Sequence, residues 1–182
     1  MSSLVFPAKF AFVLDNFIRR YLVNMKGVLK DASLKEGMNV LEIGCGPGFF
    51  TPYLAKAAGS GKLYAVDIQE EMINRLAKKI TLNSSNNVIT MVGDASALKI
   101  KDNEIDLIFA YYTFHEFADK EKSVKELCRI LKKGGMLFIA EPRLEVSREK
   151  MDYTIHLFLN AGLRLLCDKP KLFSWHVKME KF

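Results

Sequence analysis

Cysteine is scarce in this chain, and what there is forms no pattern. Cys45, Cys128 and Cys167 are the only three in 182 residues, and no two stand in a CxxC pair or at metal-ligand spacing. A disulfide scaffold and a cysteine-built metal centre are therefore set aside, no metal site is expected, and reduced thiols are the expected state. Long apolar runs are missing as well. Nothing approaches the ~20 residues needed to cross a bilayer, and the run from Leu4 to Leu14 is interrupted by Pro7 and Lys9. That run has neither the basic start nor the small-residue cleavage site of a secretory signal, so a cytoplasmic protein is expected.

Clustered charge is the third absence. The formal net charge is +6, yet the lysines are spread over predicted helix faces and turns, so nucleic acid is not the expected partner. Solubility is the first consequence of that charge. Attraction of an anionic acceptor, or of anionic lipid, is a second, through a patch that the sequence does not localise. With 49% of its residues apolar, a chain of this length supports one domain with a real core, taken as 1–182.

What is present centres on Val40 to Thr51, VLEIGCGPGFFT. A short apolar run containing Glu42 is followed by Gly44, Gly46 and Gly48 on alternate positions and then by a helical pattern. Glycine allows a sharp turn and close backbone approach to a ligand, and the following helix turns its N–H groups and positive dipole end toward it. A second apolar run, Lys62 to Asp67, ends in a carboxylate about twenty residues beyond the glycines, the distance at which an acid reaches ribose hydroxyls. The spacing is GxGxG rather than the GxGxxG of dinucleotide binders, so a pyrophosphate is not the natural guest and the carboxylate of an amino acid fits better.

On these residues the chain resembles the class I S-adenosylmethionine (SAM) methyltransferases, and the later landmarks of that family follow in order to the chain's end. Phe49 to Ala58 reads as a helix with Pro52 in its first turn, and Glu70 to Leu82 as an amphipathic helix broken by the polar run Asn83 to Asn87. Val88 to Val92 and Ile105 to Tyr112 read as strands. Asp119 to Leu131 is a helix with Asp119 as N-cap, stopped by Lys132-Lys-Gly-Gly135 before a strand over Met136 to Ala140. Ser147 to Ala161 is a helix stopped by Gly162. The apolar runs Leu163 to Cys167 and Leu172 to Met179 are too close together for a crossover helix and must pair antiparallel. The expected fold is α/β, a doubly wound Rossmann-like, seven-stranded, mostly parallel sheet with an antiparallel last strand. In residues 1–36 a helical segment, Phe10 to Tyr21, is expected as a lid over the cofactor mouth, as the resemblance implies, or else as a helix packed on the sheet's edge.

The resemblance implies SAM as cofactor and assigns roles residue by residue. Backbone N–H groups of Gly44, Gly46 and Gly48 would face the methionyl portion, with Glu42 accepting from its ammonium. Asp67 would take the ribose hydroxyls, or else cap the helix that starts near Glu70, and Ile68 would lie on the adenine. Asp94 and the Ala95 N–H would meet the adenine edge. Tyr111 to Phe117, YYTFHEF, falls where the family presents its acceptor. There His115, with Glu116 beside it, would act as general base or else pack the loop. Phe6, Phe10, Tyr111, Tyr112 and Phe114 are candidates for an aromatic wall around a cation, with Tyr111 counted among the cofactor contacts.

The loop lacks the Asn/Asp-Pro-Pro-aromatic tetrapeptide and the Pro-Cys nucleophile of nucleic-acid methylating enzymes, so a small-molecule acceptor is expected. Within that group the chain is similar to the ubiquinone/menaquinone C-methyltransferases and the arsenite methyltransferases. The scattered cysteines depart from the latter, and the short acceptor-facing segments depart from the former. Two other classes remain open: a SAM-binding regulatory or scaffold protein without transfer, and a nucleotide-dependent oxidoreductase, which the glycine spacing and the closing antiparallel pair disfavour. Acceptor identity and oligomeric state are not written in these patterns.

Overall fold

The computed structural model describes residues 23–82 and 86–182. The expected lid helix over Phe10 to Tyr21, together with Phe6 and Phe10, lies outside the described residues. A short helix, α1 (Met25–Asp31), leads into β1 (Val40–Ile43), α2 (Thr51–Ala58), β2 (Leu63–Asp67), α3 (Glu70–Leu82) and β3 (Val88–Val92). Then come β4 (Ile105–Tyr111), a single 3₁₀ turn (Phe114–Glu116), α4 (Lys120–Ile130), β5 (Leu131–Pro142), α5 (Arg148–Asn160), β6 (Leu163–Pro170) and β7 (Ser174–Lys181).

The strands form one sheet in the order β3-β2-β1-β4-β5-β7-β6. All neighbours from β3 to β5 pair parallel, and β7 runs antiparallel to both β5 and β6. The central strands read as nearly unbroken apolar runs because both of their faces are covered. In β4 and β5 the alternation of side chains assigns successive residues to opposite faces. Leu107, Phe109, Phe138 and Ala140 pack toward α1 and α2. Ile108, Ala110, Leu137 and Ile139 pack toward α4 and α5.

Helix boundaries follow local chemistry. Asp119 caps α4, its Oδ1 accepting from the Lys122 N–H at 2.9 Å, and the Ser147 hydroxyl caps α5 by accepting from the Lys150 N–H at 3.3 Å. The second helix starts at Thr51, two residues later than its apolar pattern suggests, with Pro52 in its first turn. The segment Lys132 to Gly135 behaves differently from a helix stop. It is a bulge inside β5, where pairing with β4 shifts between Ile105↔Leu131 and Leu107↔Met136, and Gly134 takes φ +72°. The cation at the end of α4 comes instead from β7: Lys181 donates to the carbonyls of Cys128 and Leu131, both at 2.7 Å. Strands β6 and β7 each run past their apolar residues, leaving a tight turn at Lys171 to Phe173 closed by the Lys171 N–H to Ser174 carbonyl bond of 2.8 Å.

Strand order reverses between β1 and β4. Sheets of this kind open a crevice at such a point beyond the carboxyl ends of the strands. The aromatic layer beneath it comprises Phe50, Phe109 and Phe138, with Phe109 and Phe138 stacked at 5.4 Å between ring centroids. Phe138 is fully buried, so Phe138→Ala should lower stability by about 3–5 kcal/mol through lost contacts and a residual cavity. Urea denaturation followed by circular dichroism checks this.

Candidate active site

A cavity of about 400 Å³ opens at that crevice. Its walls are strand ends and the loops that follow them: the glycine turn after β1, Asp67 to Gln69 after β2, Gly93 to Ala95 after β3, Tyr111 to Ala118 after β4, and Pro142 and Glu145 after β5. Of the residues singled out from sequence, Glu42, Gly44, Gly46, Asp67, Ile68, Asp94, Ala95, Tyr111, His115 and Glu116 all line it.

Gly48 does not. Its backbone has φ +83°, and a Cβ there would meet Leu76 Cδ1 at 2.5 Å, so it is glycine to let the turn pass under α3. Gly44 has a comparable need on the cavity side: with φ +69°, an added Cβ would lie 2.0 Å from Thr113 Oγ1. Phe114 does not join the cavity wall. It is buried in the core against Phe117 and Phe158, and the aromatic lining is supplied by Phe49, Phe50, Phe109, Tyr111, Tyr112 and Phe117. Tyr112 holds φ +59°, a strained conformation for a bulky side chain, with its N–H fixed to the Ala140 carbonyl at 2.8 Å.

The N–H groups of the glycine turn are spoken for. Those of Gly44 and Cys45 donate to the Val66 carbonyl at 2.8 and 3.0 Å, that of Gly48 to the Cys45 carbonyl at 3.1 Å, and that of Gly46 to Asp67 Oδ2 at 2.9 Å. Proline at 47 has none. The expected row of donors aimed at a ligand carboxylate is therefore absent from this turn, because the loop spends its donors on its own shape. Lys79 of α3 fastens it from outside, donating to the Gly48 carbonyl at 2.9 Å.

Carboxylates dominate what remains. Glu42 is buried within β1 and accepts from the Thr51 hydroxyl at 2.6 Å. Burial, with a smaller contribution from the negative charge of Asp67, pushes its pKa up to about 8. Asp67 uses its other oxygen to accept from the Gln69 N–H at 2.9 Å, so it serves the start of α3 and the glycine turn while facing the cavity. Burial raises its pKa against the pull of those N–H groups. Asp94 forms an Asx turn, Oδ1 accepting from the Ser96 N–H at 2.7 Å.

The imidazole of His115 has a partner the sequence pattern does not suggest. Its Nδ1 lies 2.5 Å from Glu141 Oε2, and its own backbone N–H donates to Glu141 Oε1 at 3.2 Å. Glu141 is buried at the carboxyl end of β5. The adjacent Glu116 is farther away, 4.0 Å from Nε2, and Glu145 lies 3.3 Å from the same nitrogen. Burial depresses the pKa of His115, but the Glu141 hydrogen bond and the three carboxylates outweigh it, and the imidazole is held above its ordinary range. Lys120 secures the loop by donating to the carbonyls of His115 and Phe117, both at 3.0 Å.

Residues 34–180 match a family described as a methyltransferase domain. The chain belongs to the SAM-dependent methyltransferases. A demethylmenaquinone methyltransferase of Staphylococcus aureus (strain MRSA252) is 34% identical over 168 residues, covering 89% of this chain and 69% of that protein. A SAM-dependent methyltransferase from Aquifex aeolicus superposes with a TM-score of 0.88 at 32% identity, covering 96% and 98% of the two chains. The [4+2]-cyclase SpnF shares the fold, with a TM-score of 0.77 at 15% identity over 86% of this chain and 80% of that one.

SAM, the cofactor of this family, carries cationic centres, and the methyltransferase lines its cavity with carboxylates, of which Asp67 and Asp94 are held by backbone N–H groups and Glu42 by the Thr51 hydroxyl. The missing Cβ at Gly44 is what lets Thr113 pack against the glycine turn, and both residues line the cavity. Sequence reading missed Glu141, Glu145 and Thr51. Glu141 had one visible signal, an acid standing between apolar residues and a proline at a strand's end (Phe138 to Pro142, FIAEP). Thr51 and Glu145 had none, because only folding brings them to Glu42 and His115.

The raised pKa of Glu42 makes stability depend on pH in one direction. A carboxyl whose folded pKa exceeds its unfolded one leaves the protein at full stability below the unfolded pKa and costs stability as pH rises toward the folded value. In the ligand-free methyltransferase, Glu42→Gln should therefore match wild type near pH 4 and exceed it at pH 8 by more than about 1 kcal/mol, since each tenfold change in proton affinity corresponds to about 1.4 kcal/mol. Denaturant midpoints at the two pH values measure the difference.

Proposed function

We propose that this enzyme transfers the SAM methyl group to a nucleophilic atom of a small, ring-containing acceptor, with His115 as general base and Glu141 as the residue that orients it. The single observation that carries this reading is the buried Glu141 carboxylate bonded to both the ring and the backbone of His115 at the cavity wall. A carboxylate so placed holds the proton on Nδ1 and leaves Nε2 toward the cavity and Glu145, the arrangement needed to accept a proton from an attacking group.

SAM supplies an electrophilic methyl whose transfer needs little covalent help, so the chain's task is alignment and removal of one proton. Glu42 would receive the ammonium of the amino acid end, Asp67 the ribose hydroxyls, and Ile68, Asp94 and Ala95 the adenine. The aromatic faces of Tyr111, Tyr112 and Phe117 would flank the acceptor and favour positive charge near them. Because the Staphylococcus aureus relative is named for demethylmenaquinone, a quinone-derived aromatic ring is the first acceptor to try.

Calorimetric titration with SAM and S-adenosylhomocysteine, with NAD as control, tests the cofactor site. Asp67→Ala should weaken SAM binding by about 1–3 kcal/mol, and an unchanged affinity would remove Asp67 from the site. Ammonium binding beside a protonated Glu42 releases a proton, so SAM affinity should rise between pH 6 and pH 8; a flat profile contradicts the placement.

The base is tested by turnover. His115→Ala should lower kcat by ~10²-fold or more while leaving SAM affinity nearly intact. Since carboxylates raise the imidazole pKa, activity should climb with pH along a limb lying above the ordinary histidine range. Glu141→Gln should shift that limb toward acid as well as lowering kcat, whereas a merely structural Glu141 would lower activity without moving the limb. SAM binding without turnover across an acceptor panel would favour a binding protein over an enzyme of this mechanism.

A further inference from the structure

We infer that the end of the sheet beside the cavity mouth is a docking surface for an anionic lipid membrane. Two segments meet there: the link from β5 to α5, beginning at Arg143, and the tight turn Lys171 to Phe173 between β6 and β7. The Arg143 N–H donates to the Phe173 carbonyl at 3.0 Å and its guanidinium to the Lys171 carbonyl at 3.0 Å, so the two tips form one protrusion.

At the crest of this protrusion stand Leu144, Leu172 and Phe173. Leu144 is 96% exposed and Leu172 78%, the two highest values for large apolar side chains among the described residues, and Phe173 is 65% exposed. Single exposed leucines need no explanation, but three at the tips of bonded neighbouring turns form the apolar point with which peripheral proteins enter a lipid interface.

The charge around the crest is complementary to anionic headgroups. Arg143, Lys169 and Lys171 are all exposed at this end. Arg143 lies 4.7 Å above the Trp175 ring, and Arg148 lies 5.4 Å from it on α5, but Arg148 is neutralised by Asp152 and Asp168. Lys171 pairs with Asp31 at 2.9 Å, so Arg143 and Lys169 carry more of the attraction. Of the acids that follow Leu144, Glu145 faces His115 and Glu149 opens α5. Basic side chains beside an apolar tip gain from both the negative surface potential and burial of the tip.

The position of the crest gives the docking a use. Pro142 and Glu145 line the cavity, and Leu144 lies between them in the chain. A membrane touching Leu144 would face the rim through which an acceptor enters, so an apolar acceptor could pass from lipid to cavity with little exposure to water. The surface itself does not depend on the proposed base or acceptor.

The test is flotation of the full chain with vesicles of phosphatidylcholine, with or without about one third phosphatidylglycerol. Binding to the anionic vesicles, weakened by salt, is expected. Leu144→Asp/Leu172→Asp/Phe173→Asp and, separately, Lys169→Glu should each reduce it, the triple variant by about tenfold or more. Leu165→Asp, at the far end of β6, should leave it unchanged. SAM affinity, unchanged in all variants, verifies folding and separates failure of docking from failure of the catalytic reading. The proposal is overturned if anionic vesicles are not bound, if neutral vesicles bind equally, or if the tip variants bind like wild type. It is equally overturned if sedimentation shows a dimer that Leu172→Asp splits, since the crest would then be a contact between copies.

Discussion

Everything at the cavity depends on one carboxylate, Asp67, which joins two strand ends. Its oxygens hold the Gly46 N–H and the Gln69 N–H, so the turn after β1 and the helix start after β2 are fastened at one point beside the place where strand order reverses. Val66 adds a carbonyl for the Gly44 and Cys45 N–H groups. The glycine turn is thus shaped by its neighbours rather than by a ligand. The same carboxylate lines the cavity, and a group that builds a loop while facing a ligand is held in one orientation before the ligand arrives.

The cavity is acidic although the chain is basic. Glu42, Asp67, Asp94, Glu116 and Glu145 line it, with His115 among them. Burial raises the pKa of Glu42 and of Asp67, which is the cost of keeping carboxylates out of water, offset only in part at Glu42 by the charge of Lys79. A ligand bearing positive charge reverses that cost, so the site gains most from the kind of molecule its family uses. His115 is the counterpart: its neighbours raise its pKa because they are anionic, and Glu141 fixes its ring.

Much of the architecture was legible before folding. Nearly unbroken apolar runs such as Ile105 to Tyr111 announce strands covered on both faces, and the short link after β6 permits only antiparallel pairing. The alternate glycines, Asp67 and the YYTFHEF segment all reach the cavity edge of the sheet, because each follows directly on a strand and strand ends of a parallel sheet converge at one edge. Less legible were details set by cross-chain contacts. The lysine-glycine run after α4 reads as a helix stop but forms a bulge, since β4 continues to pair across it.

By itself the sequence determined which residues lie at strand ends, because that depends on hydrophobic period and turn chemistry, both local properties. Tertiary structure alone decided partnership. Glu116 is the chain neighbour of His115, yet Glu141, from another strand, takes the imidazole. Gly48 shares the alternate spacing of Gly44 and Gly46 but meets Leu76 instead of the cavity. The donors of the glycine turn are taken by the carbonyls of Val66 and Cys45 and by Asp67. A hydrogen bond or a steric contact needs atoms within a few ångströms, and only the packed sheet brings residues distant in sequence that close.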